Sequence, residues 1–200
     1  MNYQRAVFTR YLKRDEEKRL LAHVAQFRDL LARRDCQWMR LLRHSGIRVG
    51  SMAAVTVGDA RDAAALKRLK LRRAKGGRVY EVPLNSEARA AVRELLKIRR
   101  EQGHPMIDDE PLVMSRKHKG LAVRSFQARM RKWVREAGLD VEASPHWFRH
   151  TLAKRLMKQS TAEDPRGIVQ GAMGHASTQS TDVYTLPDRE DLERAMEEAR

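Results

Sequence analysis

Cysteine is almost missing from this chain. Among 200 residues only Cys36 is present, so no intrachain disulfide can form and no cysteine-based zinc site can be assembled. That usage fits a reducing compartment. No apolar run approaches the ~20 residues that cross a bilayer, and residues 1–12 lack the apolar core of a signal peptide. A soluble, cytoplasmic chain with no membrane partner is therefore expected. There is also no glycine-rich phosphate loop, no carboxylate cluster of the kind that gathers metal ions, no internal repeat and no low-complexity segment. Triphosphate hydrolysis and two-metal chemistry lack their usual parts here.

Positive charge is abundant. Lysine and arginine number 41 against 26 aspartates and glutamates, a net charge of +15. A protein this basic suits a polyanion, and nucleic acid comes first because neutralising phosphates releases condensed counterions. The plainer alternatives, which composition alone leaves open, are a merely basic soluble protein or a ribosome-associated one. The length suits one large domain.

In chain order, residues 1–13 read as a loosely ordered lead-in. An amphipathic helix capped by Asp15 carries Leu20, Leu21, Val24 and Phe27, and a second through Trp38, Leu41 and Leu42 breaks at Ser45-Gly46. Arg48 follows that break, ahead of a small-residue stretch over 50–54. Residues 66–72 partly alternate, Val79–Pro83 is strand-like, and Lys75-Gly76-Gly77 between them reads as a hairpin turn. Asn85-Ser86 caps a helix that ends at Gly103, and Pro111–Met114 reads as a short strand. A helix over 123–137 points Phe126, Met130, Trp133 and Val134 inward and shows Arg124, Arg129, Arg131, Lys132 and Arg135 on its other face. Ser144-Pro145 starts another helix, with Ser as cap and Pro in the first position. On it His146 and Arg149, three apart, share a face, while Phe148, Leu152 and Leu156 form a buried stripe. Short helical segments follow around 168–173 and 178–184. The last stretch, 188–200, is helical and acidic.

Taken together, Ser45-Gly46-Ile47-Arg48, Lys75 at a hairpin turn, His146-x-x-Arg149-His150, Gly174-His175 and Tyr184 resemble the catalytic domain of the tyrosine recombinase (phage integrase) family. The order matches, and eight residues separate His175 from Tyr184. The resemblance covers about residues 14–186 and implies an α+β, mostly α fold with a small antiparallel β-sheet. It also implies site-specific cleavage and rejoining of DNA strands, by integration, excision or inversion, through a 3′-phosphotyrosyl intermediate. Tyr184 would be the nucleophile, Arg48 and Arg149 would grip the non-bridging oxygens, and His146 would handle the tyrosine proton. His175 would hydrogen-bond the phosphate, and Lys75 would protonate the departing 5′-oxygen. No cofactor and no metal are implied.

The chemistry favours the same residue types. Charge builds on the equatorial oxygens of a reacting phosphodiester, so fixed guanidinium forks stabilise the transition state. A phenol ionises near pKa ~10, and nearby arginines and a histidine favour the phenolate. An alkoxide leaves poorly without a proton donor. Each residue has a plainer reading as a surface pair, packing or a satisfied core group, and only the conjunction lifts them above it. Tyr3 and Tyr11 belong to the lead-in, Tyr80 to a strand, and His150 is read as packing.

Expected DNA contacts are Lys70, Arg72, Arg73 and Arg78 around the hairpin, with Arg124, Arg131 and Lys132 on the basic helix. The partners implied are double-stranded DNA carrying recombination sites, a homotetramer on that DNA, and accessory DNA-bending proteins; such a chain would be nucleoid-associated. Residues 1–13 are read as lead-in, 14–187 as the catalytic domain and 188–200 as a helix docking on a neighbouring protomer. No separate N-terminal core-binding domain is read in the chain, which leaves open an excised catalytic domain or a compact recombinase like the fimbrial invertases. The sequence departs from the family at Ser51, where an acidic residue is frequent, and at Ala172-Met173, smaller than the usual pair before Gly-His. A topoisomerase-like nicking-closing enzyme and a non-catalytic DNA-binding protein on the same fold are the competing readings.

Overall fold

Sixteen residues, Leu30–Ser45, form the helix α2 on which most other elements are stacked. Residues 11–72, 79–174 and 196–199 are described in this computed structural model. Asp29 starts α2 by accepting the N–H groups of Leu31 and Ala32 at 3.1 and 2.9 Å. Trp38, Met39, Leu41 and Leu42 are all completely buried, more than one face of a surface helix can hide. α2 is accordingly covered by α1 (Arg14–Ala25), α3 (Val49–Ala54), α5 (Ser86–Glu101) and α7 (His146–Gln159). α4 (Val57–Leu66) lies on α5, and α6 (Val123–Glu136) lies against α1 and α3. α8 (Pro165–Met173) packs on α7, where Val169 and Met173 form a small second core with Ala153 and the half-buried Leu152 and Leu156.

The sheet has two antiparallel strands, β1 (Arg68–Arg72) and β2 (Val79–Pro83), in the register Arg68↔Pro83, Leu71↔Tyr80 and Arg72↔Val79. Alternation decides which side faces the core: Leu69 and Leu71 are buried, while Arg68, Lys70 and Arg72 are exposed. The double-glycine turn and Lys75 fall in 73–78, outside the described residues. No helix among the described residues is long and apolar enough to cross a membrane.

Several local expectations are corrected. α1 begins at Arg14 rather than at a cap on Asp15, because Glu16 reaches back to accept the Lys13 N–H at 2.8 Å. Residues 11–13 are not a loose lead-in: Leu12 is buried, and its N–H donates to Thr151 Oγ1 of α7 at 2.9 Å. The small-residue stretch is helical as α3, and Thr56 opens α4 through a reciprocal box with Asp59. Pro111–Met114 is no strand but sits between two isolated bridges, Thr56↔Pro111 and Met114↔Gly120, since Pro111 has no N–H to extend a ladder. At the start of α7 the Ser144 side chain makes no cap; Pro145, already helical in φ and ψ, occupies that position.

Two buried carboxylates tie the helices together. Asp35 on α2 is wholly inaccessible and accepts from Trp38 Nε1 at 3.0 Å and from Trp133 Nε1 of α6 at 2.8 Å. It also pairs with Arg34 at 2.9 Å and with Arg129. Arg129 therefore turns inward, not onto the outer basic face of α6. Glu17 on α1 is likewise buried, with Arg43 of α2 and Arg155 of α7 at 2.9 and 2.8 Å. Removing one partner of a buried pair strands the other's charge. Asp35→Ala should lower unfolding free energy by about 3 kcal/mol in a urea titration; an unchanged midpoint would show that Asp35 carries no structural load.

Candidate active site

Two left-handed glycines shape this region. Gly46 ends α2 at φ +62°, and a Cβ there would lie 2.7 Å from Met173 Cε. Gly174 ends α8 at φ +59°, and a Cβ there would lie 2.6 Å from Cδ2 of the Tyr80 ring. Both positions favour glycine for the backbone conformation, and at Gly174 the Tyr80 ring adds a steric requirement. The turn at Gly46 releases the chain into Arg48, which is exposed and serves as the N-cap residue of α3.

Arg149 lies one turn into α7 and is only 2% exposed. Its Nη1 donates to the Gly46 carbonyl, and its Nη2 donates to the Met173 carbonyl at 2.9 Å. Both acceptors close helices, where carbonyls lack intrahelical donors and the helix dipole leaves partial negative charge. Two such ends converging on one guanidinium give a buried cation a favourable field. The same two bonds lock the segment before Arg48 to the corner before His175.

His146, the first residue of α7, is open to solvent at its surface. Even so, the protein packed around its ring removes hydration from the charged form, and Arg149 and then Arg48 repel a proton, so its pKa is lowered from 6.5. On α7 His146 stands three residues before Arg149, on the same face. A neutral imidazole at pH 7 can accept a proton. His150 lies edge-on against the His146 ring, centroids 5.5 Å apart, and abuts the site.

The structure thus brings Arg48, His146 and Arg149 together with the Gly174 corner. Lys75, His175 and Tyr184, with Arg73 and Arg78, lie outside the described residues. Lys70 and Arg72 line a cleft of about 370 Å³ beside Ser51, which they share with Asp59 and Asp109. Arg124 and Arg131 are exposed on α6. Lys132 is partly engaged already, 3.7 Å from Glu136 and 4.5 Å from the centroid of the Trp133 ring. Tyr80 was hidden in the sequence, where it reads as an ordinary strand residue. Its ring seats Gly174, and its hydroxyl lies 3.2 Å from Ser51 Oγ.

Comparison with known proteins is consistent with this geometry. The phage integrase family matches residues 10–190. Tyrosine recombinase XerC of Shewanella amazonensis is 36% identical over 172 residues, covering 86% of this chain and 55% of the relative. The same protein of Psychromonas ingrahamii is 30% identical with the same coverage. The chain thus spans about half the length of the curated relatives it matches. Among solved structures, XerA recombinase superposes at a TM-score of 0.76 with 22% identity, over 100% of this chain and 65% of that one. XerH bound to its difH substrate in a pre-cleavage complex superposes at 0.71 with 20% identity, over 94% and 54%.

The lowered His146 pKa has a direct check. Its ring protons should titrate by NMR with a midpoint below 6.5 in the free protein; a midpoint at or above 6.5 would contradict the desolvation and repulsion described. As pH falls through that window the unfolded chain takes up the proton first, so this residue withdraws stability on acidification.

Proposed function

The chain belongs to the phage integrase family, and from that premise we propose that it cuts and rejoins DNA strands at specific sites through a covalent tyrosine link. The observation that carries the reading is the Arg149 bridge. It holds the Arg48 segment and the Gly174 corner in one place, with His146 on the same face of α7 as Arg149.

In this reading a backbone phosphate sits against Arg48 and Arg149. Their guanidinium groups hydrogen-bond its non-bridging oxygens and offset the charge that grows there. The Tyr184 oxygen attacks phosphorus and its proton passes to neutral His146; the new P–O bond replaces the P–O5′ bond. Lys75 gives its proton to the leaving 5′-oxygen, and His175 hydrogen-bonds the phosphate. The phosphotyrosyl ester retains the energy of the bond that was broken. A 5′-hydroxyl can therefore reverse the step on the same or another strand without ATP.

DNA is the partner, with Lys70, Arg72, Arg124, Arg131 and Lys132 as its contacts among the described residues, and Arg73 and Arg78 assigned to the same role from the sequence. Arg124 and Arg131 are the better candidates on α6, because Lys132 has neighbours of its own. A tetramer on two sites follows from the same reading, since exchanging strands needs four cleavages. Residues 188–200, six carboxylates against three arginines, suit a basic protein surface better than DNA, and accessory DNA-bending proteins would assist the assembly. We assign 14–187 to the catalytic unit.

A duplex nicked beside the cleavage position traps the intermediate, because the short 5′ fragment diffuses away. Incubation with such a suicide substrate should give a covalent protein–DNA adduct, and Tyr184→Phe should abolish it while DNA binding persists. An adduct that survives Tyr184→Phe, or none under any assembling condition, would refute the proposal.

A further inference from the structure

Ser51 stands one turn into α3, three residues after Arg48, where an acidic residue is frequent in the family. A serine has neither the charge nor the length to hold a guanidinium as a carboxylate would. The structure supplies a different contact. Ser51 Oγ and Tyr80 Oη lie 3.2 Å apart and partly buried. The Tyr80 ring is half-buried against the main core, and its Cδ2–Cε2 edge fills the space that a side chain at Gly174 would need. One tyrosine on β2 thus touches α3 just past Arg48 and also the cap of α8.

We propose that Tyr80 is a positioning residue for Arg48, bracing α3 through Ser51 and using the Gly174 corner as its footing. This rests on the assignment of Arg48 to the scissile phosphate. The geometry explains why the brace is stiff. A tyrosine has two side-chain torsions, and here one end of the ring is wedged against backbone while the other is hydrogen-bonded. α3 has only six residues, too few to hold its own direction without such support. Arg149 fixes the start of the same segment at Gly46, so Tyr80 fixes it at a second point.

The test separates a misplaced Arg48 from a damaged fold. A methylphosphonate at the cleavage position replaces one charged non-bridging oxygen with a methyl group, so the reaction depends less on a well-placed arginine. Tyr80→Phe, which keeps the ring, should slow adduct formation on the ordinary suicide substrate by about tenfold, and on the methylphosphonate by less than about twofold. Ser51→Ala should behave the same way. The double variant should be no worse than either single one, because both remove one interaction. Ser51→Thr, which restores a hydroxyl, should recover most of the rate. Equal slowing of Tyr80→Phe on both substrates, or no slowing on either, overturns the inference. So does a double variant showing the product of the two single losses. Arg48→Ala serves as the reference: if it lacks the same substrate dependence, the placement of Arg48 at the phosphate fails first. That result is distinct from one in which Arg48→Ala shows the dependence and Tyr80→Phe does not.

Discussion

A single guanidinium holds the candidate site together. Arg149 is buried where the carbonyl ends of α2 and α8 meet, and it donates to both. Neither helix ends there by accident. Each stops at a glycine in the left-handed conformation, and at Gly174 the Tyr80 ring also leaves no room for a side chain. A buried arginine without such acceptors would be costly. With them it becomes a fixed spacer between two parts of the chain more than a hundred residues apart. The positions of Arg48 and of Gly174 follow from that spacing. Fixed charge of this kind suits a reaction whose demand is to hold an anion while charge builds on it.

The scaffold behind the site repeats the device with opposite sign. Asp35 gathers two tryptophan N–H groups and two arginines, joining α2 to α6. Glu17 gathers Arg43 and Arg155, joining α1, α2 and α7. Both carboxylates are buried, and each lies among helices that also share apolar contacts. In a chain with a net charge of +15, inward-turned arginines serve cohesion while others stay exposed to solvent. Arg129 and Arg131 on the same helix illustrate the division.

Much of this was legible in the residues themselves. Ser45-Gly46 ended a helix as expected, Asn85 capped α5, and alternation found the strands flanking the hairpin. Those features are local, and local chemistry decides them. The pairing of His146 with Arg149 was visible as helical spacing, whereas the burial of Arg149 was not, because its acceptors come from residues 46 and 173. Small-residue content concealed α3 and α4, since Gly50–Ala54 and Ala63–Ala65 carry little hydrophobic period. The inward turn of Arg129 depends on Asp35, 94 positions away. Tyr80 failed to stand out for the same reason: Ser51 and Gly174 are distant from it in sequence, and nothing in Val79–Pro83 announces them.

The bridge itself is open to one decisive measurement. Arg149→Lys keeps the charge but replaces a planar fork with a single ammonium, which cannot hold two carbonyls in the fixed geometry of a guanidinium. The rate of covalent adduct formation on a suicide substrate should be compared with DNA affinity for the same folded variant. Affinity should stay within about threefold of the unmodified chain, while adduct formation falls by about a hundredfold or more. A lysine variant that forms the adduct at nearly the original rate would contradict the central place given to Arg149.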